Sequence, residues 1–252
     1  MSLNNFWKIG YVHFRDFFTP IEVKTIQKCV FHIYNLPDIP YKWMKYYEFE
    51  NNNQLSRIEN FYNYTLPEFS NIIENKVQPV VEDIAQNKQY LFKDKLNWKL
   101  PGGGAFQPHQ DHLAWKEFTP LTYLTAMLFI DNMTVENGCL EVSKGMKRDV
   151  IEYNLNEDGS LPTSITDNLI WKPIIGTRKD LLIFDSYIPH RSGPNNSNIT
   201  RRAMFLTYND KIYGDLYESY FKKKRIDFPP PIEREKGKLY KSNVYNLANP
   251  IK

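Results

Sequence analysis

Apolar and polar positions follow two different rhythms along this chain. Before residue 93 the spacing is helical. Thr19-Pro20 leads into Ile21, Ile26, Val30 and Ile33, with Glu22 three residues past the threonine, the pattern of an N-capped amphipathic helix. A second helix is predicted from about Glu68 to Asn87, where Ile72, Ile73, Val77, Val80, Val81 and Ile84 recur at mixed helical spacings. Pro79 lies inside it and, lacking an amide donor, is expected to kink or interrupt it. Between the two, Glu48 to Asn63 is polar, rich in asparagine and without a period, and reads as a loop or lid.

From residue 93 the runs become short and end at Gly, Pro, Asn or Asp: Lys95–Leu100, Leu121–Asp131, Gly138–Val142, Leu169–Ile175, Asp180–Phe184 and Arg201–Asn209. Short strands with turn punctuation predict an antiparallel sandwich or barrel, and no long helices alternate with them as a doubly wound sheet would require. The fold class is therefore mainly β with flanking helices, in one domain. Residues 1–92 form a helical flank with a lid loop, 93–210 the β core, and 211–252 a C-terminal wrap. The tail carries Lys222, Lys223, Lys224 and Arg225 ahead of Pro229, Pro230 and Pro231, which reads as a solvated basic run followed by an extended segment.

Composition narrows the function classes. The 252 residues are 42% hydrophobic and 24% charged, with a net charge of +3, so a core is affordable and neither nucleic acid nor a membrane surface is called for. Leu121 to Ile130 is about half the length of a membrane span, and no apolar stretch follows the first residues as in a signal peptide. A soluble, cytoplasmic globular protein is expected. Cys29 and Cys139 make neither a disulfide framework nor a zinc site.

The histidines are unevenly placed. His109 and Asp111 stand two apart after the loop Pro101-Gly102-Gly103-Gly104, and in an extended segment such residues point to one side. His190 follows the strand Asp180–Phe184 and is the candidate third ligand. Two histidines and a carboxylate on one face of a metal suit non-haem Fe(II). His13, His32 and His112 are expected to be structural. After His190, Ser-Gly-Pro-Asn-Asn is turn chemistry, and Arg201 opens an alternating strand with Ala203, Phe205 and Thr207 on its own face. His190 is thus expected to end one strand and Arg201 to start its hairpin neighbour. A guanidinium there holds a carboxylate bidentately, as 2-oxoglutarate requires when its other end chelates iron, and strand parity favours Arg201 over Arg202.

Gln107–Asp111, Asn137-Gly138-Cys139-Leu140-Glu141-Val142 and His190 through Arg201, in that order, resemble the phytanoyl-CoA dioxygenase family over roughly residues 93–210. The resemblance implies a double-stranded β-helix, a jelly-roll and cupin-like core, and an Fe(II)- and 2-oxoglutarate-dependent dioxygenase that also consumes O2. It implies His109, Asp111 and His190 as metal ligands. Arg201 carries over as the cosubstrate arginine, helped by Ser192 and Phe106, while Asn137 and Cys139 take structural roles. Asp111 argues against a halogenase, whose pattern replaces the carboxylate to admit chloride.

Lys99-Leu100-Pro101-Gly102-Gly103, Pro189 to Asn195, and the tail from Phe228-Pro229-Pro230 to Asn249-Pro250-Ile251 look like the family members that hydroxylate a small phosphonate. That narrower resemblance implies hydroxylation of a 2-aminoethylphosphonate-like substrate at the carbon beside phosphorus, upstream of a separate oxygenase that splits the C–P bond. Alternatives are another small zwitterion (betaine-like, ectoine-like or an amino acid), a carrier-bound substrate, or a β-helix binding protein without catalysis. A phosphonate head needs cationic donors, and Arg57 and Lys99 are the candidates.

Overall fold

The computed structural model describes residues 5–48, 54–115, 117–118, 122–144, 155–156 and 159–240. In chain order the strands are β1 (Tyr11–Phe14), β2 (Met44–Glu48), β3 (Gln54–Glu59), β4 (Gln89–Lys99), β5 (Phe106–His109), β6 (Tyr123–Phe129), β7 (Leu140–Lys144), β8 (Ile170–Pro173), β9 (Leu181–Asp185), β10 (His190–Ser192) and β11 (Arg201–Asp210). They pair antiparallel into a seven-stranded sheet, β1-β9-β6-β11-β4-β3-β2, and a four-stranded sheet, β5-β10-β7-β8. Met127, Phe129, Leu182, Phe184 and Ala203 of the larger sheet pack with Leu140 and Val142 of the smaller one. This is the double-stranded β-helix. All six segments expected as strands are strands.

The outer face of the larger sheet carries the helices. Ile26, Cys29, Val30 and Ile33 of the helix Pro20–Tyr34, and Val77 and Val81 further on, pack with Leu96, Ala126, Ile183 and Leu206. The helix starts as its sequence predicts: Glu22 N donates to Thr19 Oγ1 at 3.3 Å and Thr19 N donates to Glu22 Oε2 at 2.7 Å. Ile21 departs from the expected apolar stripe and is exposed. Because the capping box satisfies two otherwise unpaired amides, Thr19→Ala is expected to cost about 1 kcal/mol in chemical denaturation without changing turnover. The second helical stretch runs through Pro67–Ile72 and Gln78–Ala85, joined by a π-helical turn at Ile73–Val77. Pro79 sits in the first turn of the last piece. The wider π turn accommodates the ring and missing donor that would otherwise break an α-helix.

Two expectations need correction. The segment 48–63 contains β3, which pairs with β2 and β4 rather than lying over the barrel mouth as a loop. Its period is hidden because β3 is buried throughout from Leu55 to Glu59, and two of those positions, Arg57 and Glu59, are charged and pair with each other. Residues 49–53 of the expected lid lie outside the described residues. The basic run is only partly solvated: Lys222 is exposed, but the others are engaged. It belongs to the helix Tyr217–Asp227, where Lys224 is buried against Glu59, Lys223 pairs with Asp227 at 2.8 Å, and Arg225 pairs with Glu233. Tyr220 and Phe221 of the same helix pack with Phe92 and Trp115. Beyond it, Phe228, Pro229 and Pro230 are buried, and Tyr46 Oη donates to the Phe228 carbonyl at 2.9 Å. Residues 241–252, including Asn249-Pro250-Ile251, lie outside the described residues. Among the described residues, no helix is long and apolar enough to cross a membrane.

Candidate active site

His109 and His190 face each other across the β5–β10 pair, directly opposite in register, with ring centroids 4.2 Å apart. Asp111 joins them from a different element than expected. β5 ends at His109, and Asp111 begins the one-turn helix Asp111–Trp115, so the carboxylate is turned inward by the helix start and not by strand alternation. Two contacts hold that turn: His112 N donates to the Ser186 carbonyl at 3.1 Å, and Gln110 Nε2 donates to the Tyr187 carbonyl. His109 Nε2 and His190 Nε2 each lie 3.9 Å from an oxygen of Asp111, and one ligand atom from each residue falls within 4.8 Å of the others.

The donor set fits a divalent metal. His109 Nδ1 faces the Gln107 carbonyl at 2.7 Å and His190 Nδ1 the Ile188 carbonyl at 3.1 Å, so each Nδ1 carries the proton and each Nε2 presents its lone pair. Burial, then His190, pushes His109 down to about 3, and burial lowers His190 too, so both imidazoles are neutral ligands. Burial opposes the charge of Asp111, but His190, His109 and Lys95 outweigh it and keep the carboxylate ionised. Two imidazole nitrogens and one carboxylate on one side, with a cavity on the other, are the facial arrangement that suits Fe(II) and leaves positions for a bidentate cosubstrate.

Arg201 lines the same cavity but does not arrive by a hairpin from His190. β10 pairs with β5 and β7, whereas β11 pairs with β4 and β6 in the opposite sheet. The Ser-Gly-Pro-Asn-Asn segment is a crossover between the sheets. Asn195 pins it, donating from Nδ2 to the carbonyls of Lys99 at 2.9 Å and Ile199 at 2.8 Å. Strand parity holds as expected: Arg201, Phe205 and Thr207 face the cavity, while Arg202 turns the other way and chelates Asp131 with Nε and Nη2, both at 2.7 Å. Arg201 Nη2 donates to the Gly138 carbonyl at 2.9 Å, and its Nε is buried with no partner among the described residues. Gly138 has φ +71°, and a Cβ there would lie 2.5 Å from the Gly193 carbonyl oxygen, so only glycine brings these two turns together behind the arginine. Asn137 shapes the same turn, accepting from Thr134 N at 2.9 Å. A buried guanidinium with an unused donor, across the cavity from the metal ligands, fits the distal carboxylate of 2-oxoglutarate.

Of the remaining predicted residues, Ser192 and Phe106 line the cavity beside Arg201. Lys99 and Arg57 stand behind its wall. Lys99 Nζ donates to Ser192 Oγ at 2.7 Å and to the Gly193 carbonyl, and lies 4.8 Å from the Phe106 ring centroid. Burial, followed by Arg201, lowers it to about 6, so Lys99 supports the arginine's end of the cavity. Arg57 stacks 4.6 Å from the Tyr46 ring centroid and pairs with Glu59 at 3.2 Å. The cations that do line the cavity are Lys93, Lys95, Arg191 and Arg201. The two lysines have a sequence signal: they alternate with Phe92, Asp94 and Leu96, which is a strand face, but one that a lysine usually turns to solvent. The strand begins at Gln89, six residues before the predicted start at Lys95. His13, His32 and His112 are structural, bonded to Asp180, the Tyr64 carbonyl and Tyr187 respectively.

Comparison with known proteins agrees with this geometry. The chain is 37% identical to the 2-aminoethylphosphonate dioxygenase of an uncultured bacterium, with 98% of this chain and 96% of that protein covered. It is 32% identical to the methylphosphonate hydroxylase of Gimesia maris, over 90% of this chain and 86% of that one. Among solved structures, EctD from S. alaskensis with 2-oxoglutarate and 5-hydroxyectoine superposes with a TM-score of 0.71 at 18% identity, covering 84% of this chain and 77% of that one. The phytanoyl-CoA dioxygenase profile matches residues 6–203, most of the jelly roll and both halves of the metal triad, and the chain belongs to the phytanoyl-CoA dioxygenase (PhyH) family.

Proposed function

We propose that the protein is an Fe(II)- and 2-oxoglutarate-dependent dioxygenase that hydroxylates a small phosphonate, 2-aminoethylphosphonate or a near relative, at the carbon beside phosphorus. The observation that carries this reading is the joining of the His109–Asp111–His190 triad and the half-satisfied Arg201 in one cationic cavity. The names of the two phosphonate-oxidising relatives support the substrate class.

His109, Asp111 and His190 hold the iron in this reading, and Arg201 with Ser192 holds the far carboxylate of 2-oxoglutarate. The bound metal, cosubstrate and O2 supply the oxidation: 2-oxoglutarate is converted to succinate and CO2, and one oxygen atom enters the substrate C–H bond. The protein's own contribution is placement. Phe106, Leu140, Phe184 and Phe205 give the cavity apolar walls that limit water around the reacting carbon. The two sheets fix the triad and the arginine on rigid strands, which orients the cosubstrate relative to the substrate. The hydroxylated product is suited to a separate oxygenase that cleaves the C–P bond, and we place the step in the cytoplasm.

The test is anaerobic loading with Fe(II) and 2-oxoglutarate, then admission of O2 with 2-aminoethylphosphonate or with its carboxylate analogue 3-aminopropanoate. Succinate and hydroxylated phosphonate are expected in equal amounts, with far less succinate from the carboxylate. Equal turnover of the two replaces the phosphonate reading with that of a general small-zwitterion oxygenase.

A further inference from the structure

We propose that Lys93 and Lys95 are the substrate-specificity site of this cavity and select a dianionic tetrahedral oxyacid head over monoanions of similar size. The inference rests on the oxygenase reading above and specifies which end of the cavity takes the substrate.

The register of β4 and β11 sets out the cavity floor as a row. Lys99 pairs with Arg201, Asn97 with Ala203, Lys95 with Phe205 and Lys93 with Thr207. From the first pair to the last is six residues, roughly 20 Å of strand. Ser192 and Phe106 of the facing sheet touch Lys99, which fixes one end as the arginine's. His190 precedes Ser192 by two residues on β10, and Lys95 acts electrostatically on Asp111, His109 and His190. The triad therefore stands away from the arginine's end and toward the lysines' end of the row: Phe184, 5.2 Å from the His190 ring, is in register through Thr125 and Thr207 with Lys93. A cosubstrate anchored at Arg201 and reaching the metal leaves the lysine end for the substrate.

The lysines are built as donors. Lys93 is 7% exposed, with Nζ 5.0 Å from the Trp115 ring centroid and 5.3 Å from that of Tyr220. Lys95 Nζ is 4.9 Å from the Phe205 ring centroid. An aromatic face holds an ammonium without consuming its N–H groups. Neither lysine forms a hydrogen bond or a close ion pair among the described residues; Glu59 and Asp111 act on them only at longer range, and an ammonium held in a cavity without a direct partner is costly.

The surroundings leave positive charge uncompensated. Glu59 is fully buried and faces Lys224, Arg57 and Lys93, which hold it ionised at about 2 against the effect of burial. Lys224 and Arg57 both contact it directly. Glu59 thus serves three cations, and Lys95 adds a fourth whose other facing carboxylate, Asp111, belongs to the triad. A doubly charged ligand balances that excess, whereas a carboxylate or sulfonate supplies half the charge. Lysine's compact charge suits a phosphonate, whose three oxygens take donors from several directions.

Lys93→Met and Lys95→Met keep the length of the side chain and remove its charge. In the Fe(II)- and 2-oxoglutarate-loaded protein, each is expected to raise the KM for 2-aminoethylphosphonate at least about tenfold, the loss of a charge-assisted hydrogen bond. The KM for 2-oxoglutarate should stay near the parent value, and Lys95→Arg should restore part of the loss. A second readout needs no turnover: under anaerobic conditions, methylphosphonate should raise the melting temperature of the parent protein more than methanesulfonate, and the double Met variant should lose that difference. Unchanged phosphonate KM, or an unchanged phosphonate-over-sulfonate margin, overturns the assignment. If the parent turns over no phosphonate yet the margin exists and vanishes in the variants, the oxyacid site stands and the hydroxylase reading fails.

Discussion

Replacing Asp111 with alanine is expected to lower succinate formation more than about 100-fold while the protein stays folded. Even outer-shell changes at metal sites cost 10–100-fold, and Asp111 supplies the only anionic donor of the triad. Its loss leaves two neutral imidazoles, which hold a divalent cation weakly and no longer define a face with three fixed ligands. Stability should not suffer. The carboxylate lies 3.9 Å from both histidines, beyond hydrogen-bonding distance, and the turn that carries it is held by Gln110 and His112 instead. The check is a pair of measurements on the same preparation: succinate yield and Fe(II) content on one side, thermal unfolding on the other. Parent-like turnover with an unaltered melting curve removes Asp111 from the ligand set.

The residues of this site were visible in the sequence to different degrees, for physical reasons. His109, Asp111, His190 and Arg201 stand out because each is a chemically scarce residue next to a turn signal. What local pattern could not supply was the route by which they meet. β5 and β10 are four and three residues long, too short for alternation to register, and whether His190 pairs with β5 or with β11 is decided by sheet topology far away in sequence. The parity of Arg201 survived because it depends only on its own strand. Arg57 falls in a segment that reads as a polar loop, since a strand whose inward positions are Arg57 and Glu59 breaks the rule that inward means apolar. The same exception hid Lys93 and Lys95. Strands on both sides of a charged cavity look solvent-exposed until the layer that covers them is known, here the helix Tyr217–Asp227, itself disguised as a basic surface run.

Arg201→Ala is expected to raise the KM for 2-oxoglutarate by a factor of about 30 or more, with Arg202→Ala close to the parent value. The lower limit follows from the 2–5 kcal/mol that removing one partner of a buried charge pair costs. Arg201 is buried and lined up on the cavity face of β11, its Nη2 held by the Gly138 carbonyl and its Nε unused. Burial lowers it to about 10, still charged at neutral pH, so the unliganded site carries the cost of an under-paired buried guanidinium that an incoming carboxylate relieves. Arg202 lies one residue on and faces away, its fork filled by Asp131. Its loss should appear in unfolding experiments instead, because both guanidinium bonds to Asp131 go while the backbone amide at 202 and the 3.5 Å Arg178 contact remain. The two variants therefore separate cosubstrate binding from folding. Measuring 2-oxoglutarate affinity by anaerobic titration alongside the steady-state KM distinguishes a binding loss from a slower turnover. If Arg202→Ala weakens 2-oxoglutarate more than Arg201→Ala does, the cosubstrate is anchored on the opposite face of β11 and the cavity has been assigned to the wrong side of the sheet.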